Sequence, residues 1–196
     1  MNKEIMLATN NPHKLQEFRE ILSPLGFTVY SPMDLNIISD PEEIGTTFKE
    51  NAILKAKSLS DKVPFPVIAD DSGFQIEALD GFPGVYSARY AKSLNNDIKT
   101  ISKELNKKLA ETTNRKASFV CCIALIEKPG SKPLVFEGQV KGEILFSPEG
   151  QSGFGYDPLF KANEGGLLFG KCSEKEKNQI SHRAKAVLKL VTYLSI

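Results

Sequence analysis

The apolar run Val67-Ile68-Ala69 passes without a break into Asp70-Asp71-Ser72-Gly73. Short runs rich in Val and Ile read as buried strands, and a buried strand requires a sheet around it. The flanking segments set the class of that sheet. Ile5 to Ala8 reads as another buried strand, and Phe27 to Tyr30 as a third. Between those two lies a helix with Asn11 as N-cap, Pro12 at its first position, and Leu15, Phe18 and Leu22 on one face. Thr47 and Glu50 have capping-box spacing, and Phe48, Ala52 and Leu59 continue a helical pattern toward Lys62.

The rest of the chain mixes the same elements. Phe74, Ile76 and Ala78 alternate with polar residues before an Asp80-Gly81 turn, and Gly81 to Tyr90 reads as a glycine- and proline-punctuated loop. Ile98, Ile101, Leu105 and Leu109 lie at helical spacing. Ser118 to Ile126 and Leu134 to Ile144 flank the Pro129-Gly130 turn as a long hairpin. Gly153 to Phe160 is a loop. Ser173 and Glu176 box the start of one last helix, whose stripe includes Ile180, Val187, Val191 and Leu194. Helices alternating with strands, plus a hairpin, predict an α/β fold with a mixed sheet.

At 196 residues, 41% of them hydrophobic, the chain fits a single domain spanning 1–196. The net charge of +1 advertises neither a nucleic-acid surface nor a membrane surface, so an anionic ligand would be held by a few positioned groups. The apolar run Ile5 to Ala8 is too short for a signal peptide or a spanning helix. Cys121, Cys122 and Cys172 show no CxxC spacing, and adjacent strand residues face opposite ways, so buried thiols in a reducing cytoplasm are expected.

Four stretches carry candidate chemistry. In Thr9-Asn10-Asn11-Pro12-His13-Lys14 a strand end meets a helix start, where free N–H groups attract anions and Lys14 adds a cation. The same stretch also fits a capped turn with a solvated lysine, and no GxxxxGK[ST] is present. Asp70 and Asp71 at a strand end suit a hard cation such as Mg²⁺, with Glu42 or Glu43 as a further oxygen ligand. One of the aspartates would serve as base toward water; a solvated Asp-Ser-Gly turn is the alternative. In GFGYDPLF, glycines flank Phe154 so that a ring could stack on a base and Asp157 bond its edge, or the loop simply enters the core. Lys177, His182 and Arg183 place three donors within about two turns of one helix, or form a solvated basic face.

Taken in order, these blocks resemble the inosine/xanthosine triphosphate pyrophosphatases. The matching segments are TNNPHK, GTTFKENAILKAK, ADDSG with GFPGVYSARYA, GFGYDPLF and EKNQISHRAKA, which run from residue 9 to 186. The resemblance implies a two-lobed α/β domain with a central cleft, usually a homodimer in the cytoplasm. It implies Mg²⁺-dependent cleavage of dITP, ITP or XTP to the monophosphate and pyrophosphate. By position, Thr9, Asn10, Asn11, Pro12, His13 and Lys14 would hold phosphates with Lys55 nearby. Asp71 would be catalytic and, with Glu43, bind the metal, and Ser72 would contact substrate. Phe154, Gly155, Tyr156 and Asp157, with Lys177, His182 and Arg183, would take the base.

Departures from the family pattern lie beside the motifs. Ile44 stands where threonine is common, Glu149 replaces a frequent arginine, and Lys171 stands where an acid is typical. Two other classes compete. A nucleotide-binding regulator would have little use for paired carboxylates beside phosphates, and a nucleic-acid binder is disfavoured by the interleaved charges.

Overall fold

The computed structural model describes residues 3–39 and 41–195. They form two compact units, the first within Met1–Asp71, Cys121–Gly138 and Arg183–Ile196, the second within Ser72–Val120 and Gln139–His182. The strands are β1 (Lys3–Leu7), β2 (Phe27–Tyr30), β3 (Val67–Ile76), β4 (Lys116–Ile126), β5 (Leu134–Ile144) and β6 (Phe160–Ala162). They make one sheet in the order β2-β1-β3-β4-β5-β6. It is mixed: β1 runs parallel to β2 and to β3, while β5 and β6 are antiparallel. Among the described residues no helix is long and apolar enough to cross a membrane.

In the first unit, β1 is buried on both faces, as a parallel strand between helical layers must be. Ile5 and Leu7 face a cluster with Phe18 and Leu22 of α1 (Pro12–Leu22) and with Ala186, Val187 and Leu190 of α6 (His182–Leu194). Met6 and Ala8 face the opposite cluster, built on Ala52, Ala56 and Leu59 of α2 (Phe48–Ser60). Both helix starts follow from their caps. Asn11 accepts the His13 and Lys14 amides ahead of α1, and Thr47 with Glu50 closes a capping box on α2.

The second unit has its own core. Phe74, Phe119, Phe160 and Phe169 pack edge and face on one another, and Tyr156 stacks on Phe74. Ile101 and Leu105 of α4 (Ile98–Lys108) join the same cluster.

Three expectations are corrected. The Asp-Asp-Ser-Gly stretch is not a turn after a short strand, because β3 runs ten residues through it. Its aspartates are 1% and 5% exposed, and lysine partners described below make that burial tolerable. The Gly81–Tyr90 loop ends in a helix, α3 (Ser87–Ser93). The buried Ser87 hydroxyl donates to Gly84 O and receives the Phe74 amide, contacts that no local pattern announces. The single last helix is two, α5 (Glu174–Ile180) and α6, parted by Ser181 in an extended conformation (φ −63°, ψ 156°). A serine at such a break satisfies helix ends, which is why it prefers caps to helix interiors.

Candidate active site

In the first unit the chain leaves β1 and enters α1 through Thr9 to Asn11. Thr9 Oγ1 accepts the Asn11 amide, and Asn10 donates its side-chain N–H to Ser39 O at 2.7 Å. The expected free helix amides are not there. Pro12 has none, and those of His13 and Lys14 donate to Asn11 Oδ1 at 2.9 and 3.3 Å. An anion at this end must therefore be met by side chains, Lys14 first.

Lys14 Nζ stands 3.0 Å from Asp70 Oδ2. The same oxygen lies 3.4 Å from Arg183 Nη2 and 4.0 Å from Cys121 Sγ. Arg183 also pairs through Nη1 with Glu17 on α1, and both side chains are buried. Burial holds the Arg183 guanidinium down to about 10, and it lifts the Cys121 thiol well above its ordinary value, so that thiol is inert.

Asp71 belongs to a second set. Lys55 Nζ lies 2.8 Å from Asp71 Oδ1 and 3.0 Å from Glu43 Oε1, so one ammonium bridges two carboxylates. Of the neighbouring glutamates, Glu42 is exposed and Glu43 makes this contact. Asn51, fully buried on α2, donates to Asp71 Oδ2 at 3.2 Å and accepts the Gly45 amide at 2.8 Å. Burial pushes the Asp71 carboxyl above its ordinary value although Lys55 and Lys14 oppose the shift. For Lys55 burial works against the charge, but Asp71, Asp70 and Glu43 together outweigh it and raise its pKa.

The donor set fits magnesium of one kind. Among the described residues no group of three His, Cys, Asp or Glu side chains could cage a metal. Two carboxylates already converging on one cation match an ion that keeps waters and takes its remaining oxygens from phosphates.

The second unit holds a different group of the predicted residues. Gly153 and Gly155 adopt φ of +72° and +61°, and a Cβ on Gly153 would collide with the Asp157 carboxylate. This tight turn lets Asp157 Oδ2 accept the Phe154 amide at 2.9 Å and the Lys177 ammonium at 2.8 Å. The same ammonium lies 5.0 Å over the half-buried Phe154 ring. Burial raises the Asp157 carboxyl, with Lys177 opposing. His182 is 4% exposed and stacks on Phe119 at 5.0 Å.

The predicted residues are thus grouped by unit. Thr9 to Lys14, Glu43, Lys55, Asp71 and Arg183 fall in the first, and Ser72, Phe154 to Asp157, Lys177 and His182 in the second. Lys177 and His182 lie on two helices rather than one. The Arg183 guanidinium pairs with Glu17 and Asp70. Tyr156 is core: its ring stacks on Phe74 and its hydroxyl donates to Ser87 O at 2.8 Å. Ser72 is half-buried and Gly155 exposed.

Sequence reading missed Glu17 and Asn51. Asn51 and Lys55 occupy positions on the stripe of Phe48, Ala52, Ala56 and Leu59, and polar residues on an apolar stripe are the signal that marks them. Glu17, beside Phe18 on α1, carries the same signal more weakly.

A mixed α/β sheet with a lysine-neutralised acidic centre, and a glycine-hinged aromatic wall in its second unit, defines the nucleotide-handling class. Comparison with known proteins narrows it: a model of the Ham1 family matches residues 5–193. The dITP/XTP pyrophosphatase of Haemophilus influenzae is 47% identical over 95% of this chain and 96% of its own length. That of Bacillus subtilis is 45% identical over 96% and 95%. The Staphylococcus aureus Ham1 protein superposes with a TM-score of 0.85 at 41% identity, covering 98% of each chain. A Coxiella burnetii HAM1 protein gives 0.86 at 39% identity, also over 98% of each. The chain belongs to the Ham1 family.

Proposed function

We propose that the chain hydrolyses nonstandard purine nucleoside triphosphates, dITP, ITP and XTP, to the monophosphate and pyrophosphate. The observation that carries this reading is the Asp71 centre: a buried carboxylate with a raised pKa, clamped by Asn51 and faced by Lys55 and Glu43. The ionised form of such a group is a base toward water.

The products fix the chemistry. The α–β anhydride bond breaks, water supplies the new P–O bond, and pyrophosphate leaves with the bonding electrons. Asp71 accepts the proton of that water. Lys14 and Lys55 neutralise charge building on the phosphate oxygens, the main demand of phosphoryl transfer. Glu43 and Asp71 would hold a magnesium ion, which supplies further charge neutralisation and orients the phosphates.

For the base we assign the second unit's residues. Phe154 offers a ring to stack on, and Asp157, Lys177 and His182 offer polar edges. Donors facing a 6-oxo group suit hypoxanthine and xanthine, whereas the amino group of adenine would leave buried donors unpaired. Arg183, assigned to the base with them, also pairs with Glu17 and Asp70. A working homodimer in the cytoplasm, without nucleic-acid or membrane partners, completes the proposal.

Pyrophosphate release from ITP, XTP, GTP and ATP, with Mg²⁺ and with EDTA, tests it. Fast release from ITP and XTP, with ATP nearly inert and EDTA abolishing turnover, is expected. Equal turnover of all four would sink the base assignment, and no release from any would leave a binding protein.

A further inference from the structure

We infer that Lys55 is a built-in competitor for the divalent cation: its ammonium holds Glu43 and Asp71 in ligand position and must leave them before a metal ion can enter. The inference rests on the proposed metal role of these two carboxylates and adds a residue that controls it.

The argument is one of space and charge. A single nitrogen sits 3.0 Å from Glu43 Oε1 and 2.8 Å from Asp71 Oδ1. Mg²⁺ needs oxygens at about 2.0–2.1 Å, so an ion bound to both carboxylates would occupy the volume that the ammonium fills. The two cations would also repel at such range.

Asp71 need not move when Lys55 does. Asn51 holds Asp71 Oδ2 from the other side and is itself fixed by the Gly45 amide. Gly45 must be glycine, since a Cβ there would crowd Asn51 Oδ1 at 2.6 Å. The device therefore has a fixed part, Asn51 with Asp71, and a swinging part, the Lys55 chain. A displaced ammonium needs another anion, and a triphosphate supplies one. Metal and nucleotide consequently enter together, and the protein alone binds metal weakly.

Calorimetric titration of the full chain with Mn²⁺, without nucleotide, tests this. K55M is expected to bind Mn²⁺ more tightly than wild type, by roughly 5- to 150-fold, the usual range of coupling between two events. K55R, which keeps the cation, is expected to stay weak. If K55M is too unstable to titrate, its melting temperature is followed instead: millimolar Mn²⁺ restores it while wild type does not respond. Equal Mn²⁺ affinity of wild type and K55M, or an unstable K55M that Mn²⁺ does not rescue, overturns the inference. E43Q, titrated with Mn²⁺ beside a non-hydrolysable purine triphosphate, separates the two layers. Lost metal binding there supports the metal reading whatever K55M does, and retained binding removes its foundation.

Discussion

Glu149 Oε2 and Lys171 Nζ meet at 2.6 Å. Both are positions where the chain departs from the pattern it resembles, an acid standing for a frequent arginine and a lysine for an acid. The structure brings the two departures together as one ion pair. It flanks a backbone clasp in which Glu149 N–H donates to Pro158 O and Ser152 N–H to Gly170 O, which ties down the loop carrying Phe154 and Asp157.

That pair is exposed, so its energy is small. E149R alone is expected to cost less than about 1 kcal/mol, and the double exchange E149R/K171E to restore the loss. Urea unfolding of the two variants and wild type checks this; a loss several times larger would mean that the pair does more than decorate the clasp.

Arg183 is a different case, fully buried against Glu17 and Asp70. Removing one partner of a buried pair leaves uncompensated charge, so R183A should lose roughly 3–5 kcal/mol of stability. The E17Q/R183A double variant should lose less than the sum of the singles. Additive losses in a double-mutant cycle would contradict the coupling.

Lys177 and Asp157 should divide their effects between stability and substrate. K177M strands the buried Asp157 carboxylate and should raise the KM for ITP well beyond its effect on kcat. Initial rates across ITP concentrations give the split, and an unchanged KM would remove Lys177 from the base.

Turnover should have an acid limb set by Asp71. Proton acceptance needs the ionised carboxylate, so activity falls as pH drops through its pKa, which burial places above the ordinary aspartate value of about 3.9. D71N should lose roughly 10²- to 10⁴-fold in kcat while keeping nucleotide affinity. An acid limb at the ordinary value, or an active D71N, would exclude Asp71 as the base.

What the sequence determined by itself is what short-range chemistry decides. The Asn11 cap with Pro12, the Thr47–Glu50 and Ser173–Glu176 boxes, and the bounds of β5 are local and stand where the residues put them. Motif order gave the family. Tertiary structure decided the rest, because burial and charge pairing act between residues distant in the chain. It carried β3 through Asp70 and Asp71, since Lys14 and Lys55 neutralise them from 56 and 16 positions away. It broke the last helix at Ser181, drew Arg183 to Glu17 across 166 positions, and set the ammonium of Lys55 between two carboxylates. No periodicity records such pairings; only the packed chain brings the charges close enough for them to matter.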